Sequence, residues 1–454
     1  MSRRLFPRFV LALVPLLLLW LAAGPVWAQE QGDVIVLEAE GPVTPAMASY
    51  FERGVDAGEE GDAAAVLIIL DTPGGGLETT QEIIRLFRNA SVPVIVYVGP
   101  AGVQAASAGS LLTLAAHASG MAPETVIGAA SPVSGGGEDI GDTLYRKVVE
   151  DLKAQVRSLA ERRGEEAVAL AEAMIEEARA VHAGEALDAG LIDAVSDDAP
   201  GLLDQLDGQS VIVNGQEQVL RTAEAQRTPR EMNVIERALH ALSNPTLVSI
   251  LLAIAVPSIL IELRSPGGWV AGFVGVVSLA LAFYGLGQLP VNWFGLLLIG
   301  AAFVLFLMEV HAPGVGALAI VGALSLFAGM LVLFNSPGSP EFARISIPVA
   351  VAITATTSGF FLFLLTMALR AQREQPLTGK EGLIGRTGRV RKTFVPAPSG
   401  SLTFAGSVLV HGEIWQAEAE EAVKTGEKVV VTGAEGFTLR VEREAGADEV
   451  DEES

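Results

Sequence analysis

Gly99-Pro100-Ala101-Gly102-Val103-Gln104-Ala105-Ala106-Ser107-Ala108-Gly109 is the stretch on which the reading of this chain turns. The run before it, Val92-Pro93-Val94-Ile95-Val96-Tyr97-Val98, is continuous and mostly β-branched, which suits a strand buried on both faces. Gly99-Pro100 breaks that strand, and beyond Gly109 the chain turns apolar in Leu111-Leu112-Thr113-Leu114-Ala115-Ala116. A single serine flanked by four small residues therefore sits where a loop becomes a helix. A nucleophile there lets a substrate backbone approach closely, and the first free N–H groups of the helix, with its dipole, can stabilise an oxyanion. A tightly packed helix start accounts for the same residues without chemistry.

A second stretch bears on that choice. Val66-Leu67-Ile68-Ile69-Leu70 is another strand of the buried type, and it ends in Asp71-Thr72-Pro73-Gly74-Gly75-Gly76. Glycines after a strand can turn backbone N–H groups toward a negative oxygen. A strand–glycine loop beside a strand–serine–helix start can form an oxyanion hole next to a nucleophile. Strands over 34–37, 66–70 and 92–98 alternate with helices over 44–57 and 79–89, a pattern that predicts a parallel sheet.

Composition narrows the classes. A chain of 454 residues is expected to hold two or three domains. Half of it is hydrophobic, high for a wholly soluble protein, and the net charge of −23 argues against nucleic acid as a partner. Cysteine is absent, which excludes disulfides, thiolate metal sites and a cysteine nucleophile. The histidines, His117, His182, His240, His311 and His411, are too scattered for a metal cluster. Neither a metal nor a cofactor is expected.

Taken in order, residues 1–28 read as a secretory signal: Arg3, Arg4 and Arg8, an apolar run, and small residues at Val26 and Ala28 for a cut after Ala28. An uncleaved anchor is the alternative, and either places the next domain outside the cytoplasmic membrane. Residues 29–200 form the expected α/β domain, and 201–245 a polar linker with a strand-like piece at 210–214 and an amphipathic helix near 231–242. Residues 246–370 are expected to be a membrane domain of about five helices, broken at Pro266-Gly267, Pro290, Pro313-Gly314 and Pro337-Gly338. Glu262 and Glu309 fall near span ends and read as interfacial. Residues 377–445 return to short strands with glycine turns, a small five-stranded barrel, and 446–454 are an acidic tail.

Asp71-Thr72-Pro73-Gly74-Gly75, Ala105-Ala106-Ser107-Ala108-Gly109, Ala115-Ala116-His117, and Met121-Ala122-Pro123 through Ile127-Gly128-Ala129-Ala130 together resemble the NfeD family, membrane-bound serine proteases of the ClpP class. The resemblance runs along nearly the whole chain. It implies a ClpP/crotonase-like α/β domain, a multi-span helical membrane domain, and a C-terminal OB-fold whose Gly-Glu-x-Trp-x-Ala segment is Gly412–Ala417 here. Glu185 to Asp193 resembles the segment that closes many ClpP and crotonase-type domains.

A serine hydroxyl needs a base. By resemblance to ClpP, the triad histidine would lie near Ser131-Pro132-Val133, where there is none. His117 stands most of a helix beyond Ser107 and reads as a core or helix-end residue. A lysine, largely neutral and therefore desolvated, is the accepted substitute. Helical spacing over 143–163 does not choose between Lys147 and Lys153. The family resemblance selects Lys147, by its spacing to Ser158-Leu159-Ala160.

The leading expectation is a membrane-anchored serine endopeptidase. Ser107 is its nucleophile and Lys147 its base, with N–H groups of Gly75 (or Gly74) and Ala108 holding the oxyanion. The resemblance further implies apolar polypeptide segments as substrate, a stomatin-like membrane protein as partner, contact with membrane lipid, and a homo-oligomer. The protease domain would be external or periplasmic; five spans put the OB-fold in the cytoplasm, weakly supported by Arg370 and Arg373. The alternative is a non-catalytic scaffold of membrane microdomains. A crotonase-like acyl-thioester enzyme ranks last, because it needs neither the serine–lysine pair nor a membrane region.

Overall fold

A computed structural model describes residues 32–132, 141–264, 267–311, 316–336, 339–373, 380–396 and 403–444. The expected signal segment, Val133, Pro266, the breaks at Pro313-Gly314 and Pro337-Gly338, and the acidic tail lie outside the described residues. The chain divides into two compact units, Met1–Phe361 and Leu362–Ser454.

The first unit is built on a parallel sheet. Its strands are β1 (Val34–Glu40), β2 (Ala65–Asp71), β3 (Val94–Val98), β5 (Ala118–Met121), β8 (Ala194–Val195) and β11 (Arg227–Arg230), in the order β11-β1-β2-β3-β5-β8. All five pairings are parallel, with Val66 opposite Val94 and Val34 opposite Ala65. Successive side chains on a strand point to opposite faces, and here both faces are covered. Val66, Ile68, Leu70, Val94, Val96 and Val98 enter one core, while Ala65, Leu67, Ile95 and Tyr97 enter another. That is why these strands read as unbroken hydrophobic runs.

Helices α1 (Pro45–Glu60), α2 (Leu77–Asn89) and α3 (Ala108–Ala115) make the crossovers; α4 (Asp142–Ala160) and α5 (Glu165–Glu176) pack on one another beyond them. Thr44 caps α1, accepting the Met47 N–H at 3.3 Å, and Pro45 fits the first turn because its missing donor is not needed there. A small second sheet pairs β4 (Gln104–Ala106) with β6 (Val126–Gly128), and β6 with β7 (Ala180–His182).

The segment expected as linker is part of the fold. After α6 (Ala183–Asp188) come α7 (Ala199–Leu206), the hairpin β9 (Ser210–Val213) and β10 (Gln216–Val219), and the edge strand β11. Leu202, Leu203, Leu206, Val211, Val213 and Leu220 fill the second core. Pro229 and the arginines at either end of β11 make it read as polar linker, yet an edge strand tolerates both. Helix α8 (Val234–Ala241), capped by a reciprocal Asn233–Glu236 pair, then leads to the apolar region.

Five apolar helices follow: α9 (Pro245–Arg264), α10 (Val270–Gln288), α11 (Trp293–His311), α12 (Ala317–Phe334) and α13 (Ile347–Arg373). Four are long and apolar enough to cross a membrane, and Trp293–Glu309 is a shorter apolar helix. The first four make two hairpins, α9 on α10 and α11 on α12, that share one pattern. Glu262 accepts the N–H groups of Gly267, Trp269 and Gly272 at the start of α10. Glu309, at the same offset in the second hairpin, accepts those of Gly316, Leu318 and Ala319 at the start of α12. A Cβ on Gly275 would strike Ile259 and the Ala255 carbonyl, and one on Gly322 would strike Phe306 and the Ala302 carbonyl. Glu262, Pro266, Gly275 and Ser278 thus recur as Glu309, Pro313, Gly322 and Ser325. The two carboxylates cap helices, which the reading from sequence missed.

The second unit contains a closed barrel of five strands: β12 (Thr387–Pro396), β13 (Phe404–Val410), β14 (Glu413–Ala419), β15 (Lys428–Glu435) and β16 (Thr438–Arg443), ordered β12-β13-β14-β16-β15 and closed by β12 on β15. Alternate residues, among them Val390, Phe394, Val408, Val410, Val429, Val431, Leu439 and Val441, fill its interior. The architecture is therefore an α/β domain, a helical membrane domain and a small OB-like barrel, as expected.

Candidate active site

Three loops meet at the C-terminal ends of β2, β4 and β6. The β2 loop and β4 are joined through Thr72. Its N–H donates to the Gln104 carbonyl at 2.7 Å, and its carbonyl accepts the Ala106 N–H at 2.9 Å. The β4–α3 turn is pinned to β6: the Ser107 N–H donates to the Gly128 carbonyl at 2.7 Å. Ser110, fully buried, ties the remaining ends. Its Oγ donates to the Ala105 carbonyl at 2.9 Å and accepts the Gly128 N–H at 2.6 Å. Neither Thr72 nor Ser110 was singled out from the sequence, because a buried hydroxyl that braces a loop has no spacing signature.

Those ties hold Ser107 at φ 52°, ψ −113°, a backbone conformation that a non-glycine residue adopts at a cost of about 1–3 kcal/mol. The turn throws its side chain out at the start of α3. Ser107 makes no capping bond, and its Oγ has no hydrogen-bond partner among the described residues. A strained strand-to-helix turn with a free serine hydroxyl is the geometry of a nucleophile elbow.

Gly74 lies directly against it. At φ +116°, a Cβ here would fall 2.8 Å from Ser107 Cβ and 3.2 Å from Ser107 Oγ, so only glycine leaves the serine in place. The Gly74 N–H is already engaged, donating to Thr72 Oγ1 at 3.1 Å. The N–H groups of Gly75 and Ala108 have no acceptor among the described residues. The structure therefore brings together Ser107, Gly74, Gly75 and Ala108, and leaves two donors unspent.

Lys147 is not in that cluster. It stands exposed on the opening turns of α4, beside the exposed Leu144 and Tyr145, with no ion pair among the described residues. Lys153 is committed: its Nζ lies 2.6 Å from Glu176 Oε2, and that hydrogen bond pushes its pKa up, away from the neutral amine a base must be. His117 sits past the far end of α3, a helix of eight residues and so roughly 12 Å long at 1.5 Å rise per residue, with Ser107 at its other end. Its Nδ1 accepts the Val94 N–H at 3.0 Å, and burial, with Arg88 and Arg162 nearby, pushes its pKa down to about 4. It is a neutral structural histidine. Ser131, where the ClpP resemblance would place a triad histidine, donates to the Ile175 carbonyl at 2.6 Å.

Comparison with known proteins follows the same division of the chain. Residues 33–209 match the family model of the NfeD1b N-terminal domain, 246–367 the NfeD integral membrane domain, and 380–443 the NfeD-like C-terminal, partner-binding domain. The chain is 30% identical over 450 residues to the membrane-bound protease PH1510 of Pyrococcus horikoshii, covering 96% of this chain and 98% of that one. It is 27% identical over 438 residues to the membrane protein NfeD1b of Bacillus subtilis, covering 91% and 93%. Among solved structures, the 1510-N membrane protease specific for a stomatin homolog from Pyrococcus horikoshii is 27% identical, covers 47% of this chain and 100% of its own, and superposes with a TM-score of 0.40.

Proposed function

The chain belongs to the NfeD family, and from that premise we propose that it is a membrane-anchored serine endopeptidase working through a Ser107–Lys147 dyad. The observation that carries the reading is the elbow serine, its hydroxyl free, set between two unspent N–H donors. Ser107 Oγ attacks the peptide carbonyl and its proton passes to Lys147 Nζ. The N–H groups of Gly75 and Ala108 hold the oxyanion, with the positive end of α3 behind them. Gly75 is preferred to Gly74 because Gly74 spends its N–H on Thr72. Collapse expels the amine, which takes the proton from Lys147, and water releases the acyl group from the serine by the same route in reverse.

The dyad requires a neutral Lys147, and that requires water to be excluded from its amine. Leu144 lies on the same helical face, three residues back. An apolar segment laid over Leu144 and Tyr145 excludes water from Lys147 and completes the site. This fits apolar polypeptide segments as substrate, with a stomatin-like membrane protein as the target that the family resemblance implies. A second copy covering the same face would act similarly, consistent with a homo-oligomer. On this reading the α/β domain works outside the membrane, and five spans would put the barrel in the cytoplasm.

The test is labelling of the full chain in detergent by a fluorophosphonate, with wild type compared to Ser107→Ala and Lys147→Ala, and cleavage of apolar peptides measured on the same samples. Loss of labelling and cleavage in both variants is expected. A wild type that neither labels nor cleaves refutes the enzyme and leaves the scaffold reading, in which the protease fold is retained without turnover.

A further inference from the structure

We propose that His240, on the helix that leads into the membrane, is a positioning residue for the oxyanion loop, so that the membrane anchor and the catalytic serine are mechanically joined. The proposal rests on the serine-protease reading given above. It concerns the short segment Glu40–Thr44, which has the glycine loop on one side and α8 on the other.

On the inner side, the Val43 N–H donates to the Gly74 carbonyl at 2.8 Å, and the Val43 carbonyl accepts the Gly76 N–H at 3.3 Å. Val43 is thereby bridged in parallel to Gly75. The approach is close: the Val43 carbonyl oxygen lies 2.3 Å from where a Cβ on Gly75 would stand. Upstream, the Gly41 N–H donates to the Asp71 carbonyl at 2.9 Å. The plane of the Gly75 peptide, and so the aim of its N–H, is set by where Val43 sits.

On the outer side, one imidazole holds both ends of the same segment. His240 Nε2 lies 2.9 Å from the Glu40 carbonyl. A carbonyl can only accept, so Nε2 carries the proton. His240 Nδ1 lies 3.0 Å from Thr44 Oγ1, which also caps α1. The ring passes over Gly41, where a Cβ would stand 3.1 Å from Nε2. A larger side chain at position 41 would push the ring away.

Helix α8 is itself fixed to the protease domain and continuous with the membrane. Arg53 grips the Glu236 carboxylate with two bonds, Nε to Oε1 at 2.9 Å and Nη2 to Oε2 at 2.7 Å, and reaches the Glu231 carbonyl at 2.8 Å. Such bidentate pairs fix geometry as well as adding energy. Beyond the end of α8 only three residues, Leu242 to Asn244, precede α9, whose first turn Asn244 caps through the Thr246 N–H at 2.8 Å. The Leu242 carbonyl oxygen lies 2.6 Å from where a Cβ on Gly285 of α10 would stand. A chain of packed contacts thus runs from the first membrane hairpin through Leu242 and His240 to Val43 and the Gly75 amide. A protease fragment cut before α8 loses this brace.

Two readouts on the full chain in detergent test it: peptide hydrolysis, and amide hydrogen exchange at Val43 and Gly76. His240→Ala should lower kcat about tenfold with KM within about twofold, since misplacing one oxyanion donor weakens the transition state and not the ground state. Exchange at the two amides should speed by about tenfold or more. His240→Gln, whose amide N–H can still reach the Glu40 carbonyl, should recover most of both, and it carries the test if the alanine variant does not fold. Unchanged kcat and unchanged exchange overturn the brace. A wild type without hydrolysis, but with faster exchange at Val43 and Gly76 in His240→Ala, sinks the protease reading and leaves the brace standing. No hydrolysis and no change in exchange sinks both.

Discussion

Replacing Gly74 by alanine tests whether Ser107 is held as a nucleophile. The added Cβ lies 2.8 Å from Ser107 Cβ, against a normal carbon–carbon contact of about 3.5–4.0 Å, so one of the two must move by roughly 1 Å. Gly74 is boxed in by its bonds to Thr72 and Val43, and the Ser107 backbone is tied to Gly128, whereas no hydrogen bond among the described residues holds the Ser107 side chain. The serine moves. A misplacement of that size costs up to about 10²-fold in a reaction that depends on alignment, or about 2.7 kcal/mol of activation free energy. The positive φ at Gly74 adds about 1–3 kcal/mol of backbone strain to the folded state. The assay is the second-order rate of fluorophosphonate labelling of the full chain in detergent, with a thermal melt of the same sample. The expected result is labelling slowed about 10²-fold in a protein that melts a few degrees lower but remains folded. Labelling within twofold of wild type, with the fold intact, would refute the placement of Gly74 against an active Ser107.

The remaining predictions concern stability as much as activity. Ser107→Gly should abolish labelling yet raise thermal stability by about 1 kcal/mol, because glycine relieves the positive φ that the serine bears; a lower melting temperature would count against strain at the elbow. His117 has its folded pKa near 4, below its ordinary 6.5, so the folded state binds fewer protons than the unfolded between those values. Its contribution is complete above pH 6.5 and lost as pH falls through 4, about 3 kcal/mol in all; His117→Gln should flatten melting temperature over that range, and an unchanged profile would exclude the effect. Glu309→Gln removes the charge that accepts three N–H groups at the head of α12. It should cost about 0.5–2 kcal/mol of stability in detergent, read as a melting shift, with Glu262→Gln behaving alike at the head of α10.

Much of the fold was legible. Strands such as Val66–Leu70 and Val94–Val98 are buried on both faces, and that burial writes itself as a continuous β-branched run. The membrane helices and the alternating barrel strands are equally plain, because hydrocarbon and a closed barrel each impose a period on composition. The segment over 201–245 was misread, since β11 contributes backbone pairing to β1 and its arginines face solvent at the sheet edge. Pairing of main chains leaves no mark on side-chain composition.

At the site the division is sharper. Ser107 and the glycines of 74–76 stood out because their chemistry demands residue types: a hydroxyl among small neighbours, and positions where a Cβ has no room. Which glycine N–H is free depends on Thr72 and Val43, residues that are distant from or ordinary in the local pattern. His240 is remote in sequence from Thr44 and looked like one more scattered histidine until the chain folded back. Residue types along the chain dictate what each segment must be: buried strand, tight glycine loop, apolar helix, barrel strand. Which donors stay unspent, and which distant groups hold them, is settled by packing, because hydrogen-bond partners are chosen by position in space, and a chain of residues carries no record of that until it is folded.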